Sequence, residues 1–298
     1  MSWDPLNLGG QIGEFFGDFF TSVDEVVSLA QIMPNGQMAD GSPGTIESFP
    51  ADSLWNTATG ISMNCTAPIA VVFLGIFLSM EIFNLATRTR TENGIDFVYQ
   101  ILMSVLKMAI CIFFIENMST LILACFQVSG AIIKNISYFN TTINYDAQTL
   151  IDGVKEHYES GSFFDWSLLI DYISVWLAKT GAQICAVIAK LVLMIRFIEI
   201  YVFTAAAPIA FATLPSSEYS GIGKNFIKRL LALGLQGVMI VICCSLYLTI
   251  VNAYVGGANS YILEHPVLGG MQLFGYNLLL VIVLFQTGGW SKQLLQVH

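Results

Sequence analysis

Residues 98–133 read VYQILMSVLKMAICIFFIENMSTLILACFQVSGAII, an unbroken apolar run of 36 residues. As a helix it would be about 54 Å long at ~1.5 Å per residue, nearly twice the ~30 Å hydrocarbon core of a bilayer. Only a helix or a closed barrel satisfies its backbone in lipid. Long uninterrupted apolar runs favour the helix. The class that follows is all-α, a polytopic bundle of membrane helices. The excess length leaves two readings of this stretch: two spans, or one helix that continues past the membrane.

The composition agrees. Of 298 residues, 55% are hydrophobic and 11% charged, against roughly 25% charged in a soluble domain; mean hydropathy is +0.68. Twelve Lys and Arg face 21 Asp and Glu, a net charge of -9, which argues against a chain that clamps nucleic acid through its phosphates. The first 60 residues hold no Lys or Arg, so they lack the basic start of a cleaved signal peptide, and the spans themselves are expected to direct insertion.

Further runs bring the expected spans to five, at about 63–85, 97–117, 181–214, 230–254 and 268–286. Loop charge orients them, because Lys and Arg concentrate on the cytoplasmic side. Arg88 and Arg90 follow the first span, Lys224, Lys228 and Arg229 the third, and Lys292 the last. The segment 134–165 is acidic, carrying Asp146, Asp152, Glu156, Glu159 and Asp165. Five spans with the N-terminus extracytoplasmic and the C-terminus cytoplasmic put every basic loop inside. Residues 1–60 then form an external arm and 61–298 the membrane domain, in the inner or plasma membrane.

Within the arm, residues 11–30 read as an amphipathic helix. Phe15, Phe16, Phe19 and Phe20 share one face with Val23, Val26, Val27 and Ala30, opposite Glu14, Asp18 and Glu25; such a face lies on its own bundle or docks a partner. Pro34-Asn35-Gly36 and Gly41-Ser42-Pro43-Gly44 punctuate the linker that follows.

Little in the chain suggests catalysis. His157, His265 and His298 are scattered, the six cysteines sit in apolar runs as packing residues, and no nucleotide-binding or protease motif occurs. No metal, cofactor or enzymatic activity is expected, and any energy source belongs to a partner. Ionisable groups inside spans are costly and mark candidate sites: Lys190, Arg196 and Glu199 on the third span and Lys107 on the second, as a neutralised network or pore lining. Arg196 and Glu199, three apart, can pair on one helix. Ala205, Ala206 and Ala207 followed by Pro208 predict a helix break where backbones approach closely, with Gly234 and Gly237 opposite. Arg88, Arg90, Lys224, Lys228 and Arg229 are candidates for contact with cytoplasmic partners or lipid headgroups.

Taken in order, Arg196-Phe197-Ile198-Glu199-Ile200, Ala205-Ala206-Ala207-Pro208-Ile209-Ala210, the basic turn Lys224 to Arg229 and Leu235-Gln236-Gly237-Val238 resemble the TrbL family, the polytopic inner-membrane channel subunits of type IV secretion and conjugation systems. The resemblance covers roughly residues 190–247. It implies a non-catalytic channel or scaffold subunit, homo-oligomeric because five helices are too few for a wide pore. It also implies a partner ATPase, and single-stranded DNA or protein as the passing substrate. Two other classes fit the residues: a secondary transporter, which would usually show paired interrupted helices where only the Pro208 break is evident, and an assembly scaffold that conducts nothing.

Overall fold

Backbone placed in hydrocarbon must bond to itself, and this chain does so with long helices. The computed structural model describes residues 25–38, 50–88, 94–140, 166–255 and 266–296. Helix α1 (Ala51–Ile61) runs through a π turn (Ser62–Thr66) into α2 (Ala67–Arg88). Next come α3 (Gly94–Glu116) and α4 (Met118–Asn140), the 47-residue α5 (Trp166–Ala212), α6 (Ser220–Val255) and α7 (Pro266–Leu294). Among the described residues five stretches are long and apolar enough to cross a membrane: Ala51–Thr87, Val98–Glu116, Met118–Ile136, Ser220–Val251 and Phe274–Leu294. The protein is a multi-pass, all-α membrane protein.

The apolar run 98–133 resolves by hydrogen bonding. Only Asn117 separates α3 from α4, and the ladder continues through it: the Asn117 N–H donates to the Phe113 carbonyl at 3.0 Å and the Leu121 N–H to the Asn117 carbonyl at 3.1 Å. A hairpin would break both bonds. The two candidates Val98–Glu116 and Met118–Ile136 are therefore successive stretches of one rod. Met118–Ile136 lies beyond the expected span 97–117, and residues 134–140, expected in an extracytoplasmic segment, continue its helix; 141–165 lie outside the described residues. The expected span 181–214 falls on α5, which stands apart from the five candidates and carries Lys190, Arg196 and Glu199 in its second half.

Sequence sets the ends. Pro266 opens α7, where its missing N–H would have had no partner. After α5, Pro215 cannot continue the helix; the Ser220 N–H bonds to the Ser216 carbonyl at 3.0 Å, and Ser216 Oγ accepts from the Tyr219 N–H at 3.4 Å, capping α6. Gly223 lets that hairpin close. A Cβ there would sit 2.6 Å from Leu214 Cδ2 and 2.8 Å from the Ala210 carbonyl oxygen. Gly223→Ala is accordingly expected to destabilise the protein by about 1–3 kcal/mol, as overpacking does; chaotrope unfolding in micelles reads the loss, and unchanged stability would contradict this packing.

The residues fall into two compact units. In the first (Met1–Gln31, Ile132–Met194, Gly237–Thr287), the buried Tyr247 hydroxyl donates to Asn277 Oδ1, and Gly181 makes room for the Phe274 ring. Residues 25–31 are helical with Val26, Leu29 and Ala30 buried; residues 1–24, with Phe15, Phe16, Phe19 and Phe20, lie outside the described residues.

The second unit (Ile32–Ala131, Ile195–Gln236, Gly288–His298) has a core of Leu74, Ile115, Met118, Ile122, Phe197, Phe211 and Leu233. Ile32, Trp55 and Ala58 belong to that same core, so a boundary at residue 60 does not divide it. The anchor is Tyr201, whose hydroxyl donates to the Pro34 carbonyl at 3.1 Å and to the Ala51 carbonyl at 3.4 Å. The Pro34-Asn35-Gly36 turn is specific. Gly36 has φ 78°, which favours glycine, its N–H bonds to the Met33 carbonyl at 3.0 Å, and a Cβ there would overlap the Asp52 carboxylate.

Candidate functional site

Three helix irregularities in the second unit are tied together by side chains. Pro208 has no N–H for the Thr204 carbonyl. One residue on, the Ala205 carbonyl accepts a hydrogen bond from Thr66 Oγ1 at 2.7 Å. Thr66 ends the π turn of the first rod and also bonds the Ser62 carbonyl at 2.9 Å. At the start of that turn, buried Ser62 directs its hydroxyl to Met118 Sδ at 3.3 Å, and Met118 immediately follows Asn117. Single π turns frequently mark functional positions in helices. Of the small residues, Ala207 is fully buried and Ala206 exposed. Cys65, expected to pack, is exposed on the π turn, and all six cysteines are free.

Charge lies close along α5. Arg196 is 3% exposed; its Nε donates to the Leu233 carbonyl of α6 at 3.1 Å, while Nη1 is buried with no hydrogen-bond partner. Its guanidinium stands 5.8 Å from the ring centroid of Phe197. One residue beyond Leu233, Gly234 admits α4: a Cβ there would meet Ser129 Oγ at 2.6 Å. Gly237 is buried a turn later.

Glu199 does not pair with Arg196. It meets Lys292, in the last turn of α7, at 3.5 Å with the two side chains 31% and 35% exposed, a contact worth little in stability. The i, i+3 spacing permitted a pair within α5, but Arg196 turns toward the α6 carbonyl and Glu199 toward the α7 ammonium. Lys190 pairs instead with Glu25, and Lys107 is exposed on α3. Arg196, Glu199 and Lys190 therefore take separate partners rather than one another, and Lys107 stands apart from them.

Below this, Arg229 stacks over the Phe203 ring at 5.4 Å, Phe203 lies 5.6 Å from Phe226, and Phe226 meets Phe211 edge-on at 5.8 Å. Lys224 and Lys228 are exposed. Glu81 Oε2 accepts from the Ser217 N–H at 3.2 Å and from Ser217 Oγ at 2.8 Å, fastening α2 to the turn that precedes α6. The Arg88 side chain and Arg90 lie outside the described residues. The π turn and the Glu81–Ser217 contact escaped sequence reading; the polar run Ser62-Met63-Asn64-Cys65-Thr66 at the head of an apolar span was the available signal. Among the described residues nothing in this arrangement resembles a nucleophile with its base. It offers buried charge, irregular helix positions and a basic edge.

A family model described as TrbL/VirB6 plasmid conjugal transfer like protein matches residues 37–208, more than half of the chain. The chain belongs to this family. The match takes in the π turn, Asn117, Arg196, Glu199 and Pro208, so the irregularities of this TrbL/VirB6-like protein lie inside the family region. The resemblance read from sequence, at 190–247, shares with it only residues 190–208. No curated protein and no solved structure matches the chain. Membership makes the protein a component of conjugal transfer, in the type IV secretion class.

Proposed function

We propose that this TrbL/VirB6-like protein is a channel or scaffold subunit of a type IV secretion apparatus, homo-oligomeric and non-catalytic. In this reading a partner ATPase supplies the energy, and single-stranded DNA or protein is the cargo. The observation that carries the reading is the family match over a multi-pass chain whose matched region contains the buried, incompletely paired Arg196 and the π turn linked to α5 one turn from Pro208. Such groups are costly in a membrane protein and belong to function more often than to stability.

The proposed orientation has the N-terminus outside and the C-terminus inside. Support comes from where the basic groups converge. The Glu81–Ser217 contact brings α2 to the turn that leads into Lys224 and Lys228. Arg229 and Lys292 reach α5 at Phe203 and Glu199, four residues or about 6 Å of rise apart. Arg229 and Lys292 thus lie close along α5, as basic groups on one cytoplasmic side would.

Deleting the gene from a donor cell should abolish transfer of DNA or protein, and the tagged chain expressed in its place should restore it and co-purify with a secretion ATPase. Restored transfer without that co-purification would remove the ATPase partnership. Uptake of a small solute by the protein alone in liposomes would instead support a secondary transporter and overturn the reading.

A further inference from the structure

Arg196 and Glu199 stand three residues apart on α5, near enough for a guanidinium to meet a carboxylate, yet each is held by a different helix. Arg196 Nε donates to the Leu233 carbonyl of α6, and Glu199 takes Lys292 of α7. Neither engagement is complete. Among the described residues Arg196 Nη1 is buried with no hydrogen-bond partner. The Glu199–Lys292 contact, at 3.5 Å, is longer than the roughly 2.7–2.9 Å of a strong charge-assisted bond.

We infer that these groups form a charge-exchange latch with a second setting, in which Arg196 leaves the Leu233 carbonyl for Glu199, and Glu199 leaves Lys292. In the observed setting the unsatisfied group is a guanidinium nitrogen that water does not reach, since Arg196 is 3% exposed. In the other it is the Lys292 ammonium, whose side chain is about a third exposed and open to hydration. A guanidinium also meets a carboxylate with two donors, where the carbonyl takes one. Against these gains, the second setting gives up the bond to α6 and the place beside the Phe197 ring, 5.8 Å from the guanidinium. The Leu233 carbonyl keeps its position in the α6 ladder, so its release orphans no backbone group. One exchange acts on two helices at once: α6 and α7 are both tied to α5, or both let go. They also pack on each other, since a Cβ at Gly288 would lie 3.2 Å from Gln236 Nε2. Lys292 is where the latch is open to other molecules, because whatever takes its charge leaves Glu199 to Arg196. The latch stands on this geometry, whatever the cargo.

Solid-state magnetic resonance on the full chain in lipid vesicles, with isotope labels in the arginine nitrogens and the glutamate carboxyl carbon, reads the second setting directly. The dipolar contact of interest is the one that vanishes in both Arg196→Met and Glu199→Gln. Lys292→Met frees Glu199 and is expected to raise that contact several-fold over the wild type. An unchanged contact in Lys292→Met would overturn the latch, as would a contact that survives Glu199→Gln. Amide hydrogen exchange at the end of α7 gives the reverse arm. Arg196→Met leaves Glu199 to Lys292 alone, so exchange over residues 288–296 should slow several-fold, because coupling between two sites runs both ways. Mere loss of packing would speed that exchange, and independent helices would leave it unchanged; either result would overturn the latch.

Discussion

Phe211→Ala is expected to destabilise the protein by about 3 kcal/mol, the low end of what a buried Phe-to-Ala change costs. Phe211 is fully buried near the end of α5, with its ring 6.3 Å from that of Phe114 on α3 and edge-on to Phe226 on α6 at 5.8 Å. Three helices meet on one side chain. Lipid is as apolar as the side chain, so the transfer part of the usual loss shrinks in a membrane protein, and what is left is missing dispersion contact around a cavity. The damage should spread along the aromatic chain, because Phe226 also packs on Phe203, over which Arg229 stacks. Phe113 provides the comparison. It is adjacent to Phe114 but 59% exposed, and Phe113→Ala is expected to stay within about 0.5 kcal/mol. Unfolding both variants in the same micelles decides the matter: equal losses would show that the α3, α5 and α6 contact is not built as described.

The contrast between these two phenylalanines indicates what sequence could and could not show. Hydropathy located the long helices, since lipid constrains backbone before any packing is specified. It could not separate Phe113 from Phe211, which differ only in what stands opposite them. The length of 98–133 raised the right question, yet the answer lay in two backbone hydrogen bonds around Asn117 that no composition encodes. Sequence predicts a break at Pro208, whereas α5 continues as a helix through it to Ala212. The π turn was not legible, since Ser62–Thr66 contains neither Gly nor Pro and is joined to Ala205 by a hydrogen bond from 139 residues away in sequence. Pairing failed for the same reason: spacing along α5 suggested Arg196 with Glu199, while tertiary neighbours gave Arg196 a carbonyl and Glu199 a lysine. The family resemblance was drawn from the α5–α6 hairpin, whereas the family match extends back from Pro208 through the first two rods; no pattern in those apolar rods stood out against an ordinary membrane helix.

Arg196→Met is expected to separate stability from transfer. Among the described residues the arginine makes a single hydrogen bond, Nε to the Leu233 carbonyl, worth about 1.5–3 kcal/mol for a charged donor. Against that stands the desolvation of a guanidinium that is 3% exposed with Nη1 unpartnered, several kcal/mol per buried ion. Methionine matches the unbranched stem, fills irregular space and leaves no polar atom to satisfy. Removing a buried charge in favour of a packed apolar side chain is typically neutral or stabilising by about 1–4 kcal/mol, so Arg196→Met should unfold at the same or a higher chaotrope concentration than the wild type. Transfer by cells carrying it should nevertheless fall to the level of the deletion, because nothing in the stability of the fold accounts for keeping the charge there. Arg196→Lys keeps a positive charge without the fork of donors, and partial transfer by that variant would assign the requirement to charge itself. A marked loss of stability in Arg196→Met would make Arg196 a structural residue, and full transfer by a stable Arg196→Met protein would remove it from the site altogether.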